Sequence, residues 1–196
     1  MKDALTLCLD ASGSDAGSWA MVKGDQILLE ETFSGRASSQ LFVSLEKHRE
    51  QWINISQIFV GIGPGSFSGI RVTIAAAQGL DLALGCKIIP VYSSNALAYQ
   101  HRHVSFLGVF APARKEEYFA AFYEKGKLSR PPQIIHAADL ENSLSKCSLA
   151  VSADAIHGIA QQTPILASNL ALHALEFGMD LNLPLEPFYI AATPTV

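Results

Sequence analysis

Gly61-Ile62-Gly63-Pro64-Gly65-Ser66-Phe67-Ser68-Gly69-Ile70-Arg71 is the stretch on which the fold turns. It follows a short apolar run, Gln57 to Ile62, and opens a helical run from about Ser68 to Leu84 that Gly85 closes. A glycine-rich turn between a strand and a helix can cradle an anion on its backbone N–H groups. Three familiar loops do not fit. A Walker A loop needs a lysine after its second glycine, and none stands here. A dinucleotide fingerprint needs Gly-x-Gly-x-x-Gly and a later acid. The spacing here is Gly63-x-Gly65-x-x-x-Gly69, and the next strand ends Pro90-Val91-Tyr92. A hydrolase elbow needs serine where Phe67 stands. Two compatible readings stay open. In one, Pro64 fixes a φ angle, Gly65 permits a positive one, and Gly69 lets the helix pack tightly on its strand. In the other, the turn contacts phosphate directly, with Asp10, Ser12, Gly63, Gly65 and Ser66 as the candidate contacts.

The helix after the turn is apolar nearly all round, with only Arg71, Gln78 and Asp81 strongly polar. Such a helix must be covered on more than one side. Ile70, Ile74 and Leu84 suit packing on a sheet. The face near Arg71, Ala75, Gln78 and Leu82 carries small residues that admit a second helix closely, from this chain or from a partner.

Outward from the turn, Ala4 to Leu9 reads as a strand ending at Asp10. Ser18 to Lys23 and Gln26 to Phe33 read as a hairpin across Gly24-Asp25. Ser38 or Ser39 suits a cap for a helix to about Glu50, with Leu41, Leu45 and His48 on one face. After a strand at Lys87 to Val91, the order repeats more faintly. Strands are expected at 105–110, 118–123, 133–136 and 149–152, and helices at 139–146 and 169–177. The duplication implies two related α/β lobes of actin-like or sugar-kinase-like type. The boundary is expected near 98–104, giving lobes of 1–100 and 101–196.

Composition narrows the function. The 196 residues are 49% hydrophobic and 16% charged, enough to bury a core. Fourteen Lys and Arg against eighteen Asp and Glu give a net charge of -4, without the basic stripe of a chain that grips RNA alone. Three scattered cysteines read as reduced core residues. With no signal peptide and no window near the ~20 apolar residues of a membrane span, a cytoplasmic protein is expected.

The sequence resembles the TsaB (YeaZ) family, relatives of TsaD in the glycoprotease-like superfamily. Gly61 to Arg71 with Ala77-Gln78-Gly79-Leu80 is similar to that family's glycine-turn signature. Leu7-Cys8-Leu9-Asp10-Ala11-Ser12 resembles its opening strand, and Val91 to Ala98 another segment. Ala113-Arg114-Lys115-Glu116-Glu117-Tyr118 resembles its second-lobe hairpin, and Pro187-Phe188-Tyr189-Ile190 its closing motif. The resemblance implies an α/β actin-like ATPase (ASKHA, ribonuclease H-like) fold of two mixed-sheet lobes. It implies a non-catalytic subunit that pairs with TsaD through two N-terminal-lobe helices, and with itself through the same helices. TsaE joins the assembly, which moves a threonylcarbamoyl group onto N6 of the tRNA adenosine next to the anticodon. ATP is used by the complex, with no cofactor held tightly by this chain and tRNA met only through the complex. Leu41, Phe42, Leu45, Arg71, Ile74, Ala75, Gln78 and Leu82 are the candidate partner contacts. The chain departs from the family at Ala37-Ser38-Ser39, at Pro112 and in the shortness of its second lobe.

The six histidines contain no His-x-x-x-His pair, the spacing by which TsaD-type members hold a metal. Asp10 is the best single candidate for holding metal-bound phosphate, although Ser12-Gly13-Ser14-Asp15 lacks a dense glycine cluster. The alternative reading is a stand-alone nucleotide-dependent phosphotransferase of actin-like fold; a metallopeptidase has no site to rest on.

Overall fold

A computed structural model describes residues 4–159 and 161–188, so Tyr189 and Ile190 of the closing motif lie outside the described residues. The first sheet has the order β3-β2-β1-β4-β5 and the second β10-β9-β6-β7-β8. Read from their antiparallel edges the two orders are the same, so the faint repeat in the sequence is a structural duplication. In the first sheet β1 (Leu5–Asp10) pairs antiparallel with β2 (Ala16–Lys23) and parallel with β4 (Gln57–Gly61). β3 (Gln26–Ser34) and β5 (Lys87–Val91) form its edges. In the second, β6 (Leu107–Pro112) takes the central place between β7 (Glu117–Glu124) and β9 (Leu149–Ser152). β8 (Lys127–His136) and the short β10 (Gln161–Gln162) lie at its edges. This is the actin-like α/β architecture that the resemblance implies.

The period-two alternation of the strands builds a layered stack. Leu7, Leu9, Trp19 and Met21 face α1 (Ala37–Glu46) and α2 (Phe67–Leu84), where Leu41, Leu45, Ile70 and Ile74 complete the core. Cys8, Ala20 and Val22 face the other way, onto Leu170, Ala171 and Ala174 of α5 (Ser168–Phe177). α3 (Ser94–Gln100) sends Leu97 and Ala98 into the second sheet's core, and α4 (Ala137–Leu144) covers that sheet's far side with Leu140. The chain thus passes between sheets through α3, but α5 returns to the first sheet, and Phe188 N donates to Ile62 O at 2.8 Å. Residues 168–188 therefore pack largely with the first lobe, unlike the expected division at 101–196.

Several local expectations change. α1 stops at Glu46 and a 3-10 turn follows at Arg49–Asn54. Its N-cap is Arg36 without a side-chain bond, and Ser39 lies inside the helix, its hydroxyl donating back to Arg36 O at 3.0 Å. α1 is tied down instead through Ser44, which accepts the Trp19 indole N–H at 2.7 Å and donates to Glu31. The other Glu31 oxygen meets His48 Nε2 at 2.7 Å.

Candidate functional site

β4 delivers the chain into the glycine turn, and Ser93 at the end of β5 receives it. Gly63 N donates to Ser93 Oγ at 3.0 Å, and Ser93 N returns a bond to Gly63 O at 2.8 Å. Ser66 N donates to Ser12 O at 2.6 Å, which lays the turn against the exit of β1. The closeness explains the glycines. A Cβ on Gly65 would overlap the Ser12 carbonyl, one on Gly69 the Ala11 carbonyl, and one on Gly61 the Asp10 carboxylate. Gly65 also holds a φ of +147°. Ser66 then caps α2, its hydroxyl accepting from Gly69 N at 3.4 Å, and Gly85 ends the helix in the left-handed conformation.

The phosphate contacts expected from sequence do not converge on open space. Asp10 is fully buried: its Oδ1 accepts from Ser12 N at 2.8 Å and Ser12 Oγ at 2.7 Å. Its Oδ2 lies beside the Ser93 hydroxyl without a hydrogen bond of ordinary geometry. Burial pushes the carboxyl pKa up, against the lowering pull of Ser93 and Ser12. Gly63 has spent its N–H and C=O on Ser93. Only Gly65 and Ser66 of the five candidates reach the main cleft, so Asp10, Ser12 and Gly63 are corrected from open phosphate contacts to internal braces of the turn.

That cleft, of about 680 Å³, lies between the lobes. Phe67 and Ile70 of α2 face it from one side, Phe119 and Ile134 of the second sheet from the other, with Arg114 and Phe188 at its margins. The glycine turn, the 113–118 hairpin and the start of the closing motif thus meet in one place, although they are far apart in sequence. Ser14 N crosses the gap to Asp154 Oδ1 at 2.8 Å, and both residues also line a second chamber of about 420 Å³.

The outer face of α1 and α2 is the other candidate. Arg71, Ala75, Gln78, Gly79 and Leu82 form one exposed stripe. Leu82 is 91% exposed, and on α1 Phe42 and Val43 are 49% and 59% exposed. Arg71 places its guanidinium 4.2 Å from the centre of the Phe67 ring. Leu41, Leu45 and Ile74, by contrast, are core residues and are corrected from partner contacts to the inner side of the two helices. Leu84, expected against the sheet, is also exposed.

Sequence reasoning missed Ser93, Arg114, Val43, Gly79 and the Ser14–Asp154 bridge as parts of these sites. The lobe duplication was the usable signal for Asp154, because it stands just past β9, the counterpart of β4. Among the described residues no group of three or more His, Cys, Asp or Glu side chains gathers as a metal site, and no helix is long and apolar enough to cross a membrane.

Comparison with known proteins gives a consistent picture. The family model described as TsaD, tRNA N6-adenosine threonylcarbamoyltransferase, matches residues 36–168. Rv3421c, an uncharacterized protein of Mycobacterium tuberculosis, is 26% identical over 175 residues, covering 87% of this chain and 81% of its own length. The tRNA threonylcarbamoyladenosine biosynthesis protein TsaB of Bacillus subtilis is 33% identical over 93 residues, 44% of this chain and 40% of that protein. Among solved structures, YeaZ from Pseudomonas aeruginosa superposes with a TM-score of 0.72 at 17% identity, covering 95% of this chain and all 100% of that one. A second structure, of a protein with similarity to YeaZ, gives 0.66 at 18% identity, covering 87% of this chain and 90% of the other.

Proposed function

The chain belongs to the TsaD family of tRNA N6-adenosine threonylcarbamoyltransferases as a TsaB/YeaZ-like member, and from that premise we propose that it is a non-catalytic scaffold or activator subunit in tRNA threonylcarbamoyladenosine biosynthesis. It pairs with TsaD through the outer face of α1 and α2, TsaE joins the pair, and the assembly uses ATP and meets tRNA in the cytoplasm. A second copy of the chain competes for the same face. Arg71, Ala75, Gln78, Leu82 and Phe42 are the contacts.

One observation carries this reading: α2 leaves Leu82 91% exposed one turn from Gly79, whose α-carbon has nothing within 4 Å beyond its own helix. A glycine inside a helix costs about 1 kcal/mol relative to alanine. No packing within the chain recovers that cost, whereas a partner helix approaching closely would. The net charge of -4 fits a chain that leaves tRNA contact to its partners.

The test is co-purification of the chain with TsaD, followed by reconstitution of the tRNA modification. Ala75→Arg is expected to fold as the wild type does, by circular dichroism, but to lose both pairing and its support of modification. Full recovery of the charged variant with TsaD would place the interface elsewhere. Metal-dependent ATP turnover by the isolated chain, abolished by Asp10→Ala, would overturn the non-catalytic role.

A further inference from the structure

The turn after β1 already behaves as an anion-binding element. Its alternate amides both end on carboxylates, Ser12 N on Asp10 Oδ1 at 2.8 Å and Ser14 N on Asp154 Oδ1 at 2.8 Å. Successive backbone N–H groups in a turn make such an anion-receiving concavity. The two carboxylates differ in origin. Asp10 belongs to the strand that feeds the turn, whereas Asp154 comes from the opposite lobe, 140 residues away. Asp154 is also held ready for that role. Its own N–H donates to Ser152 Oγ at 3.1 Å, Thr163 N donates to Ser152 O at 2.8 Å, and Gln162 Nε2 to Ala153 O at 2.9 Å. The bridge is also a partition. Ser14 and Asp154 line both the front chamber of about 680 Å³ and the rear one of about 420 Å³.

We propose that the Ser14 N–H is a masked oxyanion site of the interlobe cleft, filled by the chain's own Asp154 carboxylate in place of a phosphate-type anion. A carboxylate oxygen and a phosphate oxygen offer an amide the same charged acceptor, so they compete for one donor. With Asp154 in place the amide is taken and the cleft is divided. With Asp154 gone the amide is open, the chambers join, and Arg114, which lines the front chamber, supplies a cation beside the entering anion. This masking stands apart from partner pairing, which is read by co-purification and does not depend on the outcome below.

The experiment titrates inorganic phosphate into the full chain and follows the Ser14 amide by heteronuclear NMR, in wild type, Asp154→Ala and Asp154→Asn. Asp154→Ala is expected to show a saturating Ser14 shift and to bind phosphate about tenfold more tightly than wild type, the size set by one competing charge-assisted hydrogen bond. Asp154→Asn keeps a carbonyl oxygen for the Ser14 N–H and is expected to stay masked like wild type. Asp154 is partly exposed, and spectral dispersion verifies that each variant is folded. Equal phosphate binding by wild type and Asp154→Ala, or no binding by a folded Asp154→Ala, would overturn the proposal. An Asp154→Asn variant that binds as the alanine variant does would also overturn it, because charge repulsion rather than occupation would then keep anions out.

Discussion

Gly79→Ala separates what α2 needs for its own fold from what its outer face is for. The added methyl group meets nothing within 4 Å apart from the helix itself. The change therefore acts on backbone entropy alone and should stabilise the isolated chain by about 0.9 kcal/mol. For a chain of this size that is a rise in Tm of about 2–4 °C, read by thermal unfolding. Pairing should move the other way. If a partner helix packs on the stripe of Ala75, Gly79 and Leu82, the methyl group intrudes where the two backbones approach. Overpacking of that kind costs about 1–3 kcal/mol, equivalent to about a five- to hundredfold rise in Kd, read by calorimetry with TsaD. Opposite signs for stability and affinity are the diagnostic result. A fall in Tm would mean that the space at Gly79 is not open. A rise in Tm with unchanged Kd would mean that nothing approaches the helix there, and the physical reason for placing a partner on this face would be gone.

Gly69→Ala should behave in the opposite sense from Gly79→Ala despite the same helix propensity gain. Its methyl group collides with the Ala11 carbonyl, so thermal unfolding should show a loss of about 1–3 kcal/mol. Ser44→Ala strands the buried Trp19 indole N–H and should cost about 1–3 kcal/mol. Ser44 is also the main cause that holds the Glu31 carboxyl below the usual carboxylate range, with His48 assisting. That stabilisation is present above the ordinary carboxylate pKa and lost as pH falls through the lowered one, so the gap between variant and wild type should shrink across that acid window in a pH series of Tm values. Asp10 carries the reverse sign, because burial raises its pKa. Its contribution is present below the ordinary carboxylate pKa and lost as pH rises through the raised one. Asp10→Asn should therefore gain stability relative to wild type as pH increases across that interval, and a constant difference would refute the burial argument.

Local chemistry made much of the first lobe legible. The hairpin at Gly24-Asp25, the helix opening after Ser66 and its closure at Gly85 all rest on residues whose backbone preferences decide the matter within a few positions. What escaped was decided by packing at a distance. Ala96, Leu97 and Ala98 of α3 are buried in succession because α5 and the second sheet cover the helix from different sides, so no helical period marks it. β8 begins at Lys127, earlier than expected, because Pro131 and Pro132 lie in an edge strand, where a missing N–H costs no ladder bond on the open side. The apolar residues of α1 and α2 could be assigned to helices but not to faces. Leu41 and Phe42 are neighbours in sequence, yet one is core and the other is half exposed. The spacing of Asp10, Ser12 and Gly63 suggested a ligand site, whereas their polar groups are spent on one another and on Ser93.

The return of α5 to the first sheet bears on how freely the cleft can open. Ser18 Oγ donates to Ile165 O at 2.8 Å and accepts from Ala167 N at 2.9 Å, joining β2 to the segment that enters α5. Glu30 on β3 accepts from Ser168 N at 3.0 Å and Ser168 Oγ at 2.8 Å, so a negative side chain sits at the start of that helix, where the backbone dipole favours it. On its other flank, buried His173 meets Gly126 O of the second sheet's hairpin turn at 2.9 Å. One helix is thus bonded to both sheets, with small side chains of Cys8, Ala20, Ala171 and Ala174 packed beneath it. A rotation of one lobe against the other must break these bonds or carry α5 with one sheet and away from the other. Buried hydrogen bonds left unmade cost about 1–3 kcal/mol each, so wide lobe opening is opposed at this wedge as well as at Ser14–Asp154. The surface of α2 around Gly79 and Leu82 has no such internal restraint, so a partner can be received there without moving either lobe.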